Sequence, residues 1–331
     1  MKILYSQKHL SHSPLYEIFN GGRDPHSEIP SRVENIKNSL ISNDYKISKL
    51  SKKVPLKLLT ETHKKDYINF LKAGSSFSYP SVFPYNDLSR NLKLKNELAL
   101  IGKYSFDLYT PMSKTIFDIA TESASLAYEL AYDLSKQKIK VGYALCRPPG
   151  HHAEKGKMGG YCYINNSAVA AQYLSKFGKV AVLDVDFHHG NGTQNIFYER
   201  DDVLTISIHA DPNWKFPFYT GFTHEIGIGK GRGKNINYPL PKGTNNNRYQ
   251  KVLEKSLLNI KKFKPKYLVV PLGLDTHIDD PIGGFKLTTN YYTQMAKTIW
   301  ALKLPTLIVQ EGGYNTKLLG NNVVAFLNGF I

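Results

Sequence analysis

Leu183-Asp184-Val185-Asp186-Phe187-His188-His189-Gly190-Asn191-Gly192-Thr193 is the stretch on which the fold turns. It continues Lys179-Val180-Ala181-Val182, so the whole begins as an apolar run of the kind buried in a parallel sheet. It ends in a Gly-Asn-Gly turn. Asp184, Asp186, His188 and His189 lie at its carboxyl end, and each can ligate a metal. Alternate residues of a strand share a face, which groups Asp184, Asp186 and His188. Ligands of open α/β sheets bind beyond the carboxyl ends of strands. Carboxylates with imidazoles suit Zn²⁺ or a similar divalent ion. Taken alone, the stretch reads equally well as a polar turn after a core strand.

The 331 residues, 41% hydrophobic and 12% aromatic, suffice for one large α/β domain or two ordinary ones. No apolar run approaches the roughly 20 residues of a membrane span. The opening MKILYSQKHL has too short an apolar run for a secretory signal and no small-residue cleavage site. A cytoplasmic protein is expected, export by another route aside. Cys146 and Cys162 are too few for a disulfide framework, and buried inert thiols are expected. The 43 Lys+Arg exceed the 27 Asp+Glu by 16 charges. They are spread in short pairs such as Lys52-Lys53 and Lys261-Lys262, with no dense basic run. This reads as a solvated lysine-rich surface rather than a nucleic-acid footprint.

Outward from the opening stretch, strands and helices alternate. Strands are expected at Met1 to Tyr5, Val141 to Leu145, Lys179 to Asp184, Val203 to Ile208, Tyr267 to Leu272 and Thr306 to Gln310. Helices are expected at Asn165 to Phe177, Gln194 to Tyr198, Arg248 to Phe263, Thr288 to Leu302 and Asn315 to Gly329. Earlier, residues 9–30 read as loop, Ser31 caps a helix to about Leu40, and Thr62 starts another through Leu71. Residues 73–95 form a long loop, and Ser113 to Leu134 the longest helix. No repeat, linker or domain boundary interrupts the chain. The alternation predicts one mostly parallel sheet covered on both faces.

Nearly every strand end carries unusual chemistry. Val141 to Leu145 brings Arg147-Pro148-Pro149-Gly150-His151-His152, and Lys179 to Asp184 the opening stretch. The others bring His209 and Asp211, then Gly273, Asp275 and His277, then Glu311-Gly312-Gly313-Tyr314. The strand-end rule gathers these loops on one side of the sheet. Asp186, His188 and Asp275 would make a three-ligand site with an open position for water. A bound cation brings that water's pKa to about 7. His151 and His152 can serve as general base and acid, with Asp184 and Asn191 to orient them. A carboxylate partner raises an imidazole's pKa more than an amide does, so the two need not be equivalent. Tyr314 can donate to a developing oxyanion. The sum is hydrolysis of an unactivated carbonyl, most simply an amide.

RPPGHH (147–152), GGYCYINNSAVAA (159–171), LDVDFHHGNGTQNIFY (183–198), GLDTHIDDP (273–281) and EGGYN (311–315) together resemble the histone deacetylase and acetylpolyamine amidohydrolase family of the arginase/deacetylase superfamily. The resemblance implies a single α/β domain over 1–331, with a mostly parallel sheet of about eight strands and helices on both faces. It implies Zn²⁺, or Fe²⁺, on Asp186, His188 and Asp275, and Tyr314 polarising an acetyl carbonyl. Asp184 would stand behind His151 and Asn191 behind His152. It implies a structural K⁺ near Asp184, Asp186, His188, Ser207 and Ile208. The bacterial acetylpolyamine amidohydrolases look most similar, through the Gly21-Gly22 loop, DYINFL (66–71) and HADPNWKFPFYTGF (209–222). Tyr161 and Phe216 would wall the substrate channel. Glu17 matches an acidic residue of the family's rim, and Ile282 stands where eukaryotic polyamine deacetylases carry a gatekeeper glutamate. Residues 73–112 would pack a homodimer and narrow the site's mouth.

The expected activity is deacetylation of N-acetylated polyamines or diamines. The alternative is a protein lysine deacetylase, and a third reading is an idle sensor of acetylated ligands. Neither nucleic acid nor membrane is expected as a partner. At low salt, fluorescence anisotropy is expected to detect no binding to duplex DNA; steeply salt-dependent binding would overturn the surface reading.

Overall fold

The computed structural model describes residues 1–19, 22–76 and 94–331. In chain order the strands are β1 Lys2–Tyr5, β2 Tyr16–Phe19, β3 Gly22–Pro25, β4 Ile47–Lys49, β5 Val141–Ala144, β6 Val180–Asp184, β7 Val203–Ala210, β8 Asn235–Leu240, β9 Tyr267–Leu272 and β10 Thr306–Gln310. Eight of them form one sheet in the order β4-β1-β5-β10-β9-β6-β7-β8. Every neighbouring pair is parallel. β2 and β3 form a separate antiparallel hairpin.

Side-chain alternation explains why both faces are covered. Ala181, Leu183, Ile206 and Val270 face one core with the helices Ser31–Ser42, Asn246–Phe263, Thr289–Trp300 and Thr316–Asn328. Val180, Val182, Val269 and Val309 face the other, with Ile116–Ser135 and Asn166–Leu174. A third cluster joins the shorter helices Leu56–Thr62, Lys65–Ala73 and Glu97–Tyr104 to one end of Ile116–Ser135. This is the single α/β domain expected. No helix among the described residues is long and apolar enough to cross a membrane. Both cysteines are free and buried, and burial pushes their thiols up.

The element boundaries differ in places. Residues 9–30 contain the β2–β3 hairpin. Pro30 occupies the cap of the first helix, with no side-chain capping bond, and Ser31 is its first residue. Thr62 ends a helix instead of starting one, because Pro55, seven residues earlier, caps the helix that Leu56 begins. The strands β4 and β8 are edges. β4 is three residues long, and β8 carries Pro239, which an edge tolerates because no outer neighbour needs its missing N–H. The long loop expected over 73–95 lies largely outside the described residues, as does Gly21. The helix Glu97–Tyr104 sits within the stretch 73–112.

One buried ionic group ties the amino-terminal segments to the sheet. Arg32 Nη1 and Arg147 Nε both donate to Glu28 Oε1 at 2.8 Å. Arg147 also donates to the carbonyls of His9 and Glu28 at 2.7 and 2.9 Å. Arg32 donates to those of Gly313 and Glu311 at 2.5 and 2.8 Å. Burial alone would raise the Glu28 carboxyl, but the Arg147 and Arg32 guanidiniums outweigh it and hold the group at about 2. Removing the carboxylate strands two buried cations. Glu28→Ala is therefore expected to lose about 3–5 kcal/mol in urea unfolding. Because the folded value lies below the unfolded one, Glu28's contribution is complete above about 4.5 and fades as pH falls toward about 2. Unfolding midpoints across that window should fall more steeply for the wild type than for the variant.

Candidate active site

The sheet order places the site. From β5 the chain crosses two strand positions to β6, and β9 and β10 later fill that gap. Connections therefore reverse at this point, which is where open α/β sheets bind ligands. The loops after β5, β6, β9 and β10 meet there.

Asp186, His188 and Asp275 come together in full burial, with one potential ligand atom from each all within 4.8 Å of one another. His188 Nδ1 faces both carboxylates, 3.0 Å from Asp275 Oδ2 and 3.4 Å from Asp186 Oδ1. Backbone N–H groups pin the acids: His188 N and Gly312 N donate to Asp186 at 2.8 Å each, and Phe187 N donates to Asp275 at 3.0 Å. Burial and the neighbouring Asp186 charge both push the Asp275 carboxyl up. A divalent cation among these O, N and O donors would relieve that repulsion, so the set fits Zn²⁺. The backbone leaves room for the acids. A Cβ on Gly273 would fall 1.8 Å from Asp186 Oδ2.

The two neighbouring imidazoles are pushed in opposite directions. His151 Nδ1 lies 3.0 Å from Asp184 Oδ2, and its Nε2 lies 3.8 Å from Asp186 Oδ1. Burial opposes its charge, but the Asp186 and Asp184 carboxylates prevail and raise it to about 10. His152 is pushed well down, first by burial and then by His151 and His188. Its Nδ1 lies 2.7 Å from Asn191 Oδ1. The amide's orientation is fixed from behind, because Asn191 Nδ2 donates to Glu154 Oε1 at 3.0 Å and to the Tyr219 hydroxyl at 3.2 Å. Asn191 can then only accept from His152, which puts the proton on Nδ1 and leaves the Nε2 lone pair free. The rings are 4.0 Å apart. A Cβ on Gly160, whose φ is +56°, would strike His152 Cδ2 at 2.3 Å.

Tyr314 follows the Gly312-Gly313 turn. Its N–H donates to Asp280 Oδ2 at 2.6 Å, and the Arg32 guanidinium lies 4.6 Å from its ring centroid. Burial raises the phenol, against the pull of Arg32, so it remains a donor. Above these groups opens a cavity of about 490 Å³, reached by His152, His188, Tyr161, Phe216, Ile282 and Tyr314. Phe216 stands edge-on to His152, ring centroids 5.0 Å apart at 86°. Tyr161 and Tyr314 are 6.0 Å apart. Glu17 and Tyr109 line the mouth.

A family model described as the histone deacetylase domain matches residues 26–330. The chain belongs to the histone deacetylase domain family. It is 37% identical to acetylpolyamine amidohydrolase 1 of Pseudomonas aeruginosa over 342 aligned residues, covering 100% of this chain and 99% of that one. It is 38% identical to the acetylpolyamine amidohydrolase of Mycoplana ramosa, covering 99% of each. The crystal structure of an acetylpolyamine aminohydrolase from Burkholderia pseudomallei superposes with a TM-score of 0.93 at 32% identity, covering 100% of this chain and 98% of that one.

Within this deacetylase-family chain, some strand-end residues stay outside the site. His277 turns toward Thr289 Oγ1 at 3.3 Å, and Asp211 accepts from Asn213 N at 2.8 Å. His189 packs on His209, ring centroids 4.4 Å apart. β6 and β7 pair Asp184 with Ser207, so the expected potassium set falls on adjoining strand ends. Sequence reasoning missed Asp280, Glu154 and Tyr219. It also gave no role to Arg32, or to Glu311, which accepts from Gly150 N and His151 N at 2.6 and 3.1 Å and is pushed up by burial to about 7. Glu311, beside the Gly-Gly-Tyr turn, Asp280, within GLDTHIDDP, and Tyr219, within HADPNWKFPFYTGF, carried a local signal. Gly273→Ala should displace Asp186. Bound divalent metal after dialysis is expected to fall about ten- to a hundredfold in affinity while circular dichroism stays native.

Proposed function

We propose that the chain is a zinc-dependent hydrolase that removes the acetyl group of N-acetylated polyamines or diamines. The observation that carries this reading is the buried Asp186–His188–Asp275 set beneath an aromatic-lined cavity, with His151 backed by Asp184 and His152 backed by Asn191 beside it. The names of its full-length relatives support the substrate class. Asp186, His188 and Asp275 would hold Zn²⁺, or Fe²⁺ in its place. Bound there, the cation would make water nucleophilic near neutral pH and polarise the acetyl carbonyl.

The chain's own residues supply the rest. Tyr161 and Phe216 flank the methylene chain and exclude water from it. His152, neutral with its Nε2 lone pair free, takes the proton of the attacking water. His151 stays cationic on Asp184 and keeps positive charge beside the reacting carbonyl. The Tyr314 hydroxyl donates to the oxygen as negative charge develops there. The proton on His152 then passes to the departing amine, and acetate is left. Glu17 takes the distal ammonium, and Ile282 leaves that side of the rim apolar. A potassium ion near Asp184, Asp186, His188, Ser207 and Ile208 would stiffen the strand ends. The chain acts as a homodimer.

The test is a substrate panel with metal-replete enzyme. N-acetylputrescine and N-acetylcadaverine are expected to exceed acetyl-lysine peptides in kcat/KM, and a clear preference for peptides would replace this reading with a protein lysine deacetylase. Tyr314→Phe is expected to lower kcat about a hundredfold or more while bound metal is unchanged. Equal turnover would remove the tyrosine from the mechanism.

A further inference from the structure

The mouth of the cavity carries both signs of charge. Glu17 and Asp24 oppose each other directly across the β2–β3 hairpin, and both line the cavity. Directly opposed residues of an antiparallel pair share a face. Glu17 is 8% exposed and accepts from Ser27, Oγ at 3.2 Å and N at 3.5 Å, and from the Tyr161 hydroxyl. Among the described residues, neither carboxylate has a cation within ion-pair distance.

Lys215 lines the same cavity from the segment after β7. It is partly buried, and its Nζ lies 5.6 Å from the Phe187 ring centroid. Among the described residues no carboxylate pairs with it either. Burial depresses its ammonium, with only Asp275 and Asp280 pulling the other way. Asp24 is exposed, but keeping the Glu17 and Lys215 charges partly out of water without a countercharge costs free energy, unless a ligand answers them. A diamine answers only the acids. A distal carbon bearing an ammonium and a carboxylate answers both.

We infer that the mouth also selects Nω-acetylated α,ω-diamino acids, free Nε-acetyl-lysine among them, by pairing the α-ammonium with Glu17 and Asp24 and the α-carboxylate with Lys215. The inference rests on the amide hydrolysis proposed above. The reaction is R–NH–CO–CH₃ + H₂O → R–NH₃⁺ + CH₃COO⁻: the amide C–N bond breaks, water's oxygen bonds to the acetyl carbon, and both of its protons end on the amine. The surface charge agrees. A chain of net charge +16 repels a polycation on approach, whereas a zwitterion carries no such penalty.

The experiment uses a matched pair. N-Acetylcadaverine and free Nε-acetyl-lysine differ only by the carboxylate on the distal carbon. A third substrate is Nε-acetyl-lysine with both α-groups blocked as amides. With metal-replete enzyme, kcat/KM for the free amino acid is expected to equal or exceed the other two. Lys215→Met, which keeps the stem over Phe187, should lower the ratio of free amino acid to acetylcadaverine about tenfold, the size of one charged contact. Lys215→Arg should restore it. A lower value for the free amino acid, or a ratio that Lys215→Met does not move, overturns the inference. If acetylcadaverine or the blocked substrate is still hydrolysed, the amidohydrolase reading survives that result. Turnover of none of the three overturns both.

Discussion

Two carboxylates buried side by side are the constraint on which this structure depends. Asp186 and Asp275 are both 0% exposed and share one imidazole nitrogen. Like charges taken out of water repel strongly, and each also loses its hydration. The sheet answers with backbone N–H donors that only the ends of neighbouring strands can supply together. Gly312 follows β10, Phe187 and His188 follow β6, and Asp275 itself follows β9. Removing the β6 end would leave Asp275 without its backbone donor, and removing the β10 end would leave Asp186 with one donor of two. The parallel order of the sheet is thus a condition of the site.

The same constraint reaches outward in alternating charge. His151 stands beside Asp184 and Asp186, and its backbone is held by Glu311. The Glu311 carbonyl is held by Arg32, and Arg32 by Glu28, which Arg147 also grips. Arg147 lies four residues before His151, so the network closes on the segment where it began. Such a closed set resists rearrangement, since moving one member strands another in a low-dielectric interior. Rigidity of this kind is what keeps the Tyr314 turn and the two histidines in place.

Much of this was legible in the sequence. Each core strand is an apolar run followed at once by polar residues, so the strand-end rule brought His151, Asp186, Asp275 and Tyr314 toward one place. The two edge strands were hidden because one is very short and the other, Asn235–Leu240, is interrupted by proline and mixes polar with apolar positions. The Glu28 network was hidden for another reason. Its partners lie 119 positions apart, and in sequence a buried charge looks like a solvated one. Lys215 illustrates the same point, since one lysine among so many reads as surface until the fold places it at a cavity. Asn191 was given a place behind His152, but not the Glu154 and Tyr219 contacts that decide which way its amide faces.

That amide explains how one loop carries two histidines in different states. Both rings are buried, and burial alone would discharge both. Asp184 presents only acceptors, so it favours an imidazolium at His151. Asn191 presents an oxygen that accepts one proton and bears no charge, so it fixes a tautomer at His152 without paying for a cation. Once His151 is charged, it discourages a second charge 4.0 Å away. Asymmetry between adjacent, chemically identical residues therefore follows from one carboxylate and one oriented amide behind them. The base is kept free of its proton by its neighbour keeping one.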